Sequence, residues 1–431
     1  MSVVNAIAIF LLCYFVDNLP YSFVGDATVA QQIEQVKLLF FQPEDTIPSD
    51  LLLINTAYDR QLVDVNDEFG MYKGNIDITD RAKLLELLEQ LKKSRYKYII
   101  LDIIFSEEYE TPEDSALFSL IASMPNIVIP KSNDIKLATP QLAAKAKYSD
   151  YSVHIKEYNF VKYEFVRDHE STLPYKVYSD LYGDNLRSFG PFYFFNGKLA
   201  NKSVVLRHPV KLWNKYAGSE DNDLESEDND LESENFNLEF EDNNIEPEDN
   251  DFETDDINIE SDDNDLESDG NYQMGDFMYF NLGSEIIDVN EDVSDLADGK
   301  IVVIGDFTED DLHDTYLGKI SGPIINLNAF YALQNDDLSI PYWYIAFILL
   351  LYFTISYFII KRISLFKNVI VIQNVKSKVI RYVASTLGIS ALLYLVAVII
   401  YVCFNLECNI LVPSIYFAVL LALVKYKDNN F

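Results

Sequence analysis

Cysteine, histidine and positive charge are all scarce in this chain, and each shortage removes a class of function. The three cysteines, Cys13, Cys403 and Cys408, lie in or beside apolar terminal stretches. Neither a disulfide framework nor a cysteine zinc site therefore supports the middle of the chain. Four histidines, His154, His169, His208 and His313, are scattered without a ligand spacing. Only 33 Lys and Arg stand against 69 Asp and Glu, a net charge of −36. That balance repels a phosphate backbone, so no nucleic-acid partner is expected. The 431 residues hold no GxGxxG, P-loop, HExxH or CxxC. No enzyme is legible in them, and no cofactor is implied.

What is abundant is apolar: 49% of the residues, with 29 Tyr and 28 Phe. Residues 342–360 and 382–404 contain no charge. Each matches the roughly 20 residues needed to cross a bilayer core of about 30 Å. Tyr342, Trp343 and Tyr344 form an interfacial anchor at the first of these spans. Run 410–424, with Pro413 near its start, supplies a third span. Connector 361–381 carries Lys361, Arg362, Lys367, Lys376, Lys378 and Arg381 and no acid, the signature of a cytoplasmic loop. Turn 405–409 carries Glu407 and faces out, and Lys425 and Lys427 put the last residues inside. Everything folded before Tyr342 is therefore expected outside the cytoplasm. Residues 3–16 form a shorter apolar run closed by Asp17, Asn18 and Pro20, read as an uncleaved first span. Its missing basic flank implies a native start upstream of Met1.

Residues 220–268 repeat with a period of seven, from EDNDLES to DDNDLES, with one apolar residue per repeat at Leu224, Leu231, Leu238, Ile245, Phe252, Ile259 and Leu266. A coiled-coil seam needs two. Asn and Asp are poor in helix interiors, and Pro247 interrupts the run. Self-repelling acids with so little apolar content predict disorder, an expansion in an outward loop. Calcium binding is the sharper alternative, but no Gly-rich turn accompanies the acids.

The remainder reads as alternating strands and helices. Continuous apolar strands are expected at 50–55, 98–105, 126–130 and 299–305, with an edge strand at 278–282. Helices are expected over 80–93, with Thr79 as N-cap, from Thr111-Pro112-Glu113 through Ser123, and over 324–334. Strands apolar on both faces, alternating with helices, imply a mainly parallel sheet covered on both sides. The expected fold is an α/β extracytoplasmic domain with a mainly parallel central sheet, plus one N-terminal and three C-terminal transmembrane helices. Its parts are a first span (1–25), two halves of the outer domain (26–219 and 269–341) around the insert (220–268), three spans (342–425) and a tail (426–431).

Within that order stand DLLLINTAYD (50–59), YKYIILDIIF (96–105), GKIVVIGDFTEDDLHDTYLGKISGP (299–323) and NAFYAL (328–333), followed by clustered spans. The arrangement resembles the CHASE2 family of extracytoplasmic sensor domains, with Asp102, Phe105, Gly299, Lys300, Gly305 and Asp314 at its motif positions. Gly322-Pro323 and Asn328-Ala329 stand where that family has Pro-Gly and His-Ala, and FGMYKGNID replaces a Trp-Pro-rich segment. The resemblance implies a receptor in a bacterial cytoplasmic membrane, acting as a homodimer. Relatives fuse this domain to kinase or cyclase outputs. None is legible here, so the expected output is a separately encoded signalling partner. An envelope scaffold or assembly protein without ligand is the alternative, and a metal-dependent hydrolase a third.

Two groups are candidate sites. Asp102, Phe105, Gly305 and Asp314 are the candidate ligand residues that the resemblance implies, as positions matching the family's motifs. Asp102 sits inside an apolar strand, and a buried carboxylate needs hydrogen-bond partners, so it either ties the sheet to a loop or faces the strand-end crevice where open α/β sheets place ligands. Asp59 and Asp50 are candidates to join it. Asp306, Asp310, Asp311 and His313 offer hard oxygen ligands and one imidazole to a divalent cation. The same loop also reads as exposed acids capping turns.

Overall fold

The computed structural model describes residues 1–19, 32–33, 48–66, 71–133, 135–149, 162–167, 170–205, 279–289, 292–308, 311–315, 318–363, 378–404, 406 and 408–429. The acidic repeat, Asp310 and most of the basic connector lie outside the described residues.

The helices that frame the molecule are α1 (Ser2–Asp17), α2 (Arg81–Leu91), α3 (Asp114–Ser123), α4 (Leu173–Tyr182), α5 (Val293–Ala297), α6 (Gly322–Gln334), α7 (Tyr342–Ile360), α8 (Lys378–Phe404) and α9 (Leu411–Asn429). The strands used below are β1 (Leu51–Asn55), β2 (Arg60–Asn66), β3 (Tyr72–Thr79), β4 (Tyr98–Leu101), β5 (Ile127–Lys131), β6 (Ala146–Tyr148), β7 (Phe280–Asn281), β8 (Ile301–Gly305), β9 (Leu312–Thr315) and β10 (Gly318–Ser321).

Six strands form one sheet in the order β7-β1-β8-β4-β5-β6, and every neighbouring pair is parallel. Every residue of β1, β4 and β8 is buried. Side chains of a strand alternate between faces, so each run feeds two cores. Leu51, Leu53, Tyr98, Ile100, Ile301 and Val303 pack against α4 and α6. Leu52, Ile54, Ile99, Leu101, Val302 and Ile304 pack against α2, α3 and α5. Helices on both faces explain why these strands are apolar throughout. Each fully buried Leu or Ile contributes about 1.5–3 kcal/mol.

In α2 the expected stripe is present: Leu84, Leu87, Leu88 and Leu91 are each 0% exposed. The cap differs from the expectation. Thr79 ends β3, paired with Arg60, and Asp80 caps the helix by accepting from the Lys83 amide at 3.0 Å. A carboxylate both bonds the free amides and suits the helix dipole. The strand expected over 98–105 stops at Leu101; the Asp102 amide makes the last ladder bond, to Ile304, and its carboxylate accepts from Asn326. The edge strand expected at 278–282 is only Phe280–Asn281, followed by a π-helical turn at Leu282–Ile287. Helix α6 begins at Gly322, two residues before the expected start, with Pro323 in its first turn, where a missing N–H costs nothing.

Among the described residues, two helices are long and apolar enough to cross a membrane. Tyr342–Ile360 and Tyr382–Val402 have mean hydropathies of 2.1 and 2.4, with only 28% and 22% of their apolar windows buried by the rest of the chain. Ser2–Asp17 and Leu411–Tyr426 are shorter apolar helices. All four contribute to one apolar cluster that includes Ile9, Tyr352, Ile389 and Phe417. Hydrogen bonds join these helices to the α/β body. Tyr14 Oη donates to the Ala200 carbonyl at 3.0 Å and accepts from the Tyr193 amide at 2.9 Å. Asn18 donates to Asn201 Oδ1 at 2.9 Å and accepts from the Lys202 amide at 2.7 Å. Within the helical group, Asn409, ahead of α9, donates to Asp17 Oδ1 at the end of α1 (3.1 Å).

Candidate functional site

Three buried strands end side by side, and the turns that leave them supply the polar groups. Pairing runs one residue past the strands: the Asp102 amide donates to the Ile304 carbonyl at 2.7 Å, and Thr56 to the Gly305 carbonyl at 3.0 Å. Asn55, Asp102 and Asp306 are thereby held in adjacent positions at the carboxyl edge.

Asn55 is 0% exposed. Its Oδ1 accepts from the amides of Ala57 (3.3 Å) and Phe307 (3.1 Å), and its Nδ2 donates to Asn281 at 3.0 Å. It staples three strand ends together. Asp102 Oδ2 accepts from Asn326 Nδ2 at 2.9 Å, and Asn326 Oδ1 accepts from Tyr163 Oη at 3.0 Å. Asn326 is fully buried in α6. The relay thus ties the end of β4 to α6 and to the strand Lys162–Glu164. A polar chain that is buried at Asn326 and Tyr163 and half-buried at Asp102, with members that satisfy one another, is rigid and costly to break.

Gly305 makes that approach possible. A Cβ there would lie 2.7 Å from Pro323 Cγ and 3.2 Å from Asp102 Cβ, so any side chain would push α6 off the sheet. Gly322 serves the same purpose on the other side, since its missing Cβ leaves the space that the Asp311 carboxylate occupies over the start of α6. A carboxylate there suits the positive end of the helix dipole. His313 Nε2 lies 3.2 Å from Asp311 Oδ1.

The cation set is divided. Asp306 is 8% exposed, with Oδ2 bonded to Arg60 Nη2 at 2.5 Å and Oδ1 accepting from the amide and hydroxyl of Thr308 at 2.8 and 2.9 Å. Asp311 and His313 pair with each other, and Asp310 is outside the described residues. Among the described residues no group of three or more His, Cys, Asp and Glu side chains is arranged to hold a metal ion.

The candidate ligand residues do not all converge. Asp102 and Gly305 touch. Asp314 is exposed on the β9–β10 hairpin, across from Lys319. Phe105 lies in the core on the α2–α3 side, edge-on to Phe118, with the Arg81 guanidinium 4.5 Å above its ring. Asp50 precedes β1, at the opposite end of the sheet, and pairs with Lys97 at 3.3 Å. Asp59 does join the carboxyl edge: its carboxylate accepts from Gly283 N at 2.7 Å and Lys83 Nζ at 2.8 Å. That hydrogen bond raises the Lys83 pKa.

Asn55, Asn326 and Tyr163 carry the site, and none was singled out from sequence. For Asn55 a signal existed, a polar residue closing a fully apolar strand. Arg81 was missed as well. It is 1% exposed, with Nε 3.7 Å from Asp114 Oδ1, and burial lowers its pKa. Beside the edge, Tyr279 stacks on Phe307 at 5.9 Å. Burial, then the nearby Tyr58, Glu285 and Asp306, raise the Tyr279 pKa. Chemically the edge positions strand ends and α6, because its acids are held by protein donors.

The family model for the CHASE2 domain matches residues 61–360, from the second residue of β2 to the last of α7. Neither a curated protein nor a solved structure matches the chain.

Proposed function

The chain belongs to the CHASE2 domain family, a family of extracytoplasmic sensor domains, and from that premise we propose a membrane-anchored sensor that relays an outside signal through its helices to a separately encoded partner. The signal is perceived at the carboxyl edge around Asp102, Gly305 and Asn326. The acids of 306–314 perform no catalysis.

The observation that carries this reading is α6. One of its early turns holds Asp102 through Asn326, and its far end feeds α7 through the short link 335–341. The link is itself pinned, with Lys198 Nζ 2.6 Å from Asp336 and the Ile340 amide donating to Leu199 at 2.7 Å. A ligand that displaced Asn326 would shift a rigid element coupled to a membrane helix. Such differential contact is what any ligand-driven change requires.

We place four spans in the bilayer, α1, α7, α8 and α9, in the cytoplasmic membrane. The shared apolar cluster of the four helices supports this, as do the uncharged runs and the bases flanking the connector. On this topology the α/β body lies outside and the sensor works as a homodimer. The alternative, an envelope scaffold without ligand, is favoured by one feature: the edge carboxylates already have protein partners, and Pro323 fills the space over Gly305.

The test is a thermal-shift screen of the full chain in lipid discs against small polar metabolites, with Asp102→Asn as control. A ligand at about 100 times its Kd adds about 2.7 kcal/mol, or roughly 5–10 °C in Tm. Sensing predicts such a shift in the wild type and its loss in the variant. A panel without any shift, or one equal in both proteins, favours the scaffold.

A further inference from the structure

Among the described residues the hairpin β2–β3 forms a sheet of two strands, and β2 pairs with β3 alone. A two-stranded ribbon in water is marginal, and its free edges present unpaired N–H and C=O groups. Beside β2 lies a cleft of about 990 Å³. Its near wall is five successive residues of β2, Gln61 to Val65. Successive side chains point to opposite faces, so five in a row along one space bring the strand's edge to it, with Lys73 of β3 also on the lining. The far wall is the segment 107–113.

The walls are acidic. Asp64 on one side and Glu107, Glu108, Glu110 and Glu113 on the other line the cleft with Lys73 as the single base. Glu107 is paired with Lys136. Charge alone would name no ligand, but two buried polar atoms in these walls also lack partners. Thr111 is 7% exposed, and among the described residues neither its Oγ1 nor Gln61 Nε2 on the opposite wall has a hydrogen-bond partner. Hydrogen-bonding capacity left unused inside the walls of a cleft, beside an open strand edge, is what an added backbone would satisfy once those side chains turned toward it.

We propose that this cleft receives an extended, lysine- or arginine-bearing peptide segment of a second protein, added to β2 as a third strand. Main-chain hydrogen bonds to the open edge would supply affinity, and the carboxylates would select basic side chains. A second copy of this chain is the wrong occupant electrostatically, because its net charge of −36 carries the same sign as the cleft. At about 3.3 Å per residue the seven-residue length of β2 fits a segment of about six residues. The surface is separate from the Asp102–Asn326 edge, and the proposal stands whichever reading of that edge holds.

The probe is a fluorescent hexapeptide alternating lysine and valine, titrated by anisotropy into the full chain in neutral phosphatidylcholine discs. Two comparisons accompany it: the same peptide methylated at every backbone nitrogen, and the exposed double substitution Glu108→Lys/Glu110→Lys, with its Tm checked. Strand addition predicts saturable binding, weakened about tenfold or more by methylation and likewise by the double substitution. Three results overturn it: no binding, equal binding of the methylated peptide, or unchanged binding to the substituted protein. The last would place the peptide on the acids of 220–268 or elsewhere.

Discussion

The α/β body and the helices that follow it are both strongly apolar, yet they dispose of that apolarity in opposite ways. Residues Ile301 to Ile304 of β8 are each at most 1% exposed, covered on both faces by the chain's own helices. Helix α7, with a mean hydropathy of 2.1, has only 28% of its window buried and exposes Trp343, Phe347 and Leu350. Apolarity dictates that a segment leaves water; the surrounding topology dictates whether protein or lipid replaces it. In the body the strands come interleaved with helices that can cover them. Among the described residues after Tyr342 no such covering elements alternate with the apolar runs, and large side chains point outward around the cluster.

The sharpest way to break the comparison is to remove a charge from the body's interior. Arg81→Met leaves the Asp114 carboxylate, 4% exposed, without its cation and uncovers Phe105. The expected loss is about 3–5 kcal/mol by denaturant unfolding, largely restored by adding Asp114→Leu. A loss below about 1 kcal/mol would mean that the interior there is wet. Next in size is Leu350→Arg, at a position 64% exposed near the middle of α7. Facing lipid, it should weaken membrane integration by about 2.5–3.5 kcal/mol, read as protein extracted by carbonate. Facing water, it would change stability by less than about 0.5 kcal/mol.

The smallest expected effect lies at the boundary between the two regions. Burial opposes ionisation of Asp336, but hydrogen bonds from Lys198, Ser339 and Asn196 outweigh it and hold its pKa below the usual carboxylate value. A depressed folded pKa gives stability that is present above the unfolded value, about 3.9, and is lost as pH falls through the folded one. Asp336→Asn should therefore cost about 1 kcal/mol at pH 7, a gap that holds to about pH 5 and closes below about pH 4. A gap independent of pH, measured by Tm across that range, would remove the charge from the explanation.

Particular residues mark how much of this was legible beforehand. The runs at 50–55, 126–130 and 299–305 announced buried parallel strands because β-branched and Leu residues fill both alternating faces, and the strands lie within one residue or two of those bounds. Asp102 announced itself as an interior acid needing a donor. Its donor did not: Asn326 lies 224 positions away, in a helix whose sequence reads as an ordinary apolar run. Phe105 is grouped with Asp102 by the family resemblance, but the ladder's last bond is that of the Asp102 amide, so the alternation that places a strand's side chains no longer applies at Phe105. The β2–β3 hairpin and the short strands of 186–200 were not read at all.

What the sequence determined alone was local and periodic: which segments leave water, which repeat at helical or strand spacing, and where charge of one sign accumulates. These follow from a residue's own solvation and from neighbours a turn or a pleat away. What only the tertiary structure decided was partnership across long separations. Asn326 meets Asp102 and Tyr163, Arg81 meets Asp114 beneath α2, and Gly305 lets Pro323 approach. A hydrogen bond or a close contact depends on where two distant backbones are brought, and nothing local in either segment encodes that position.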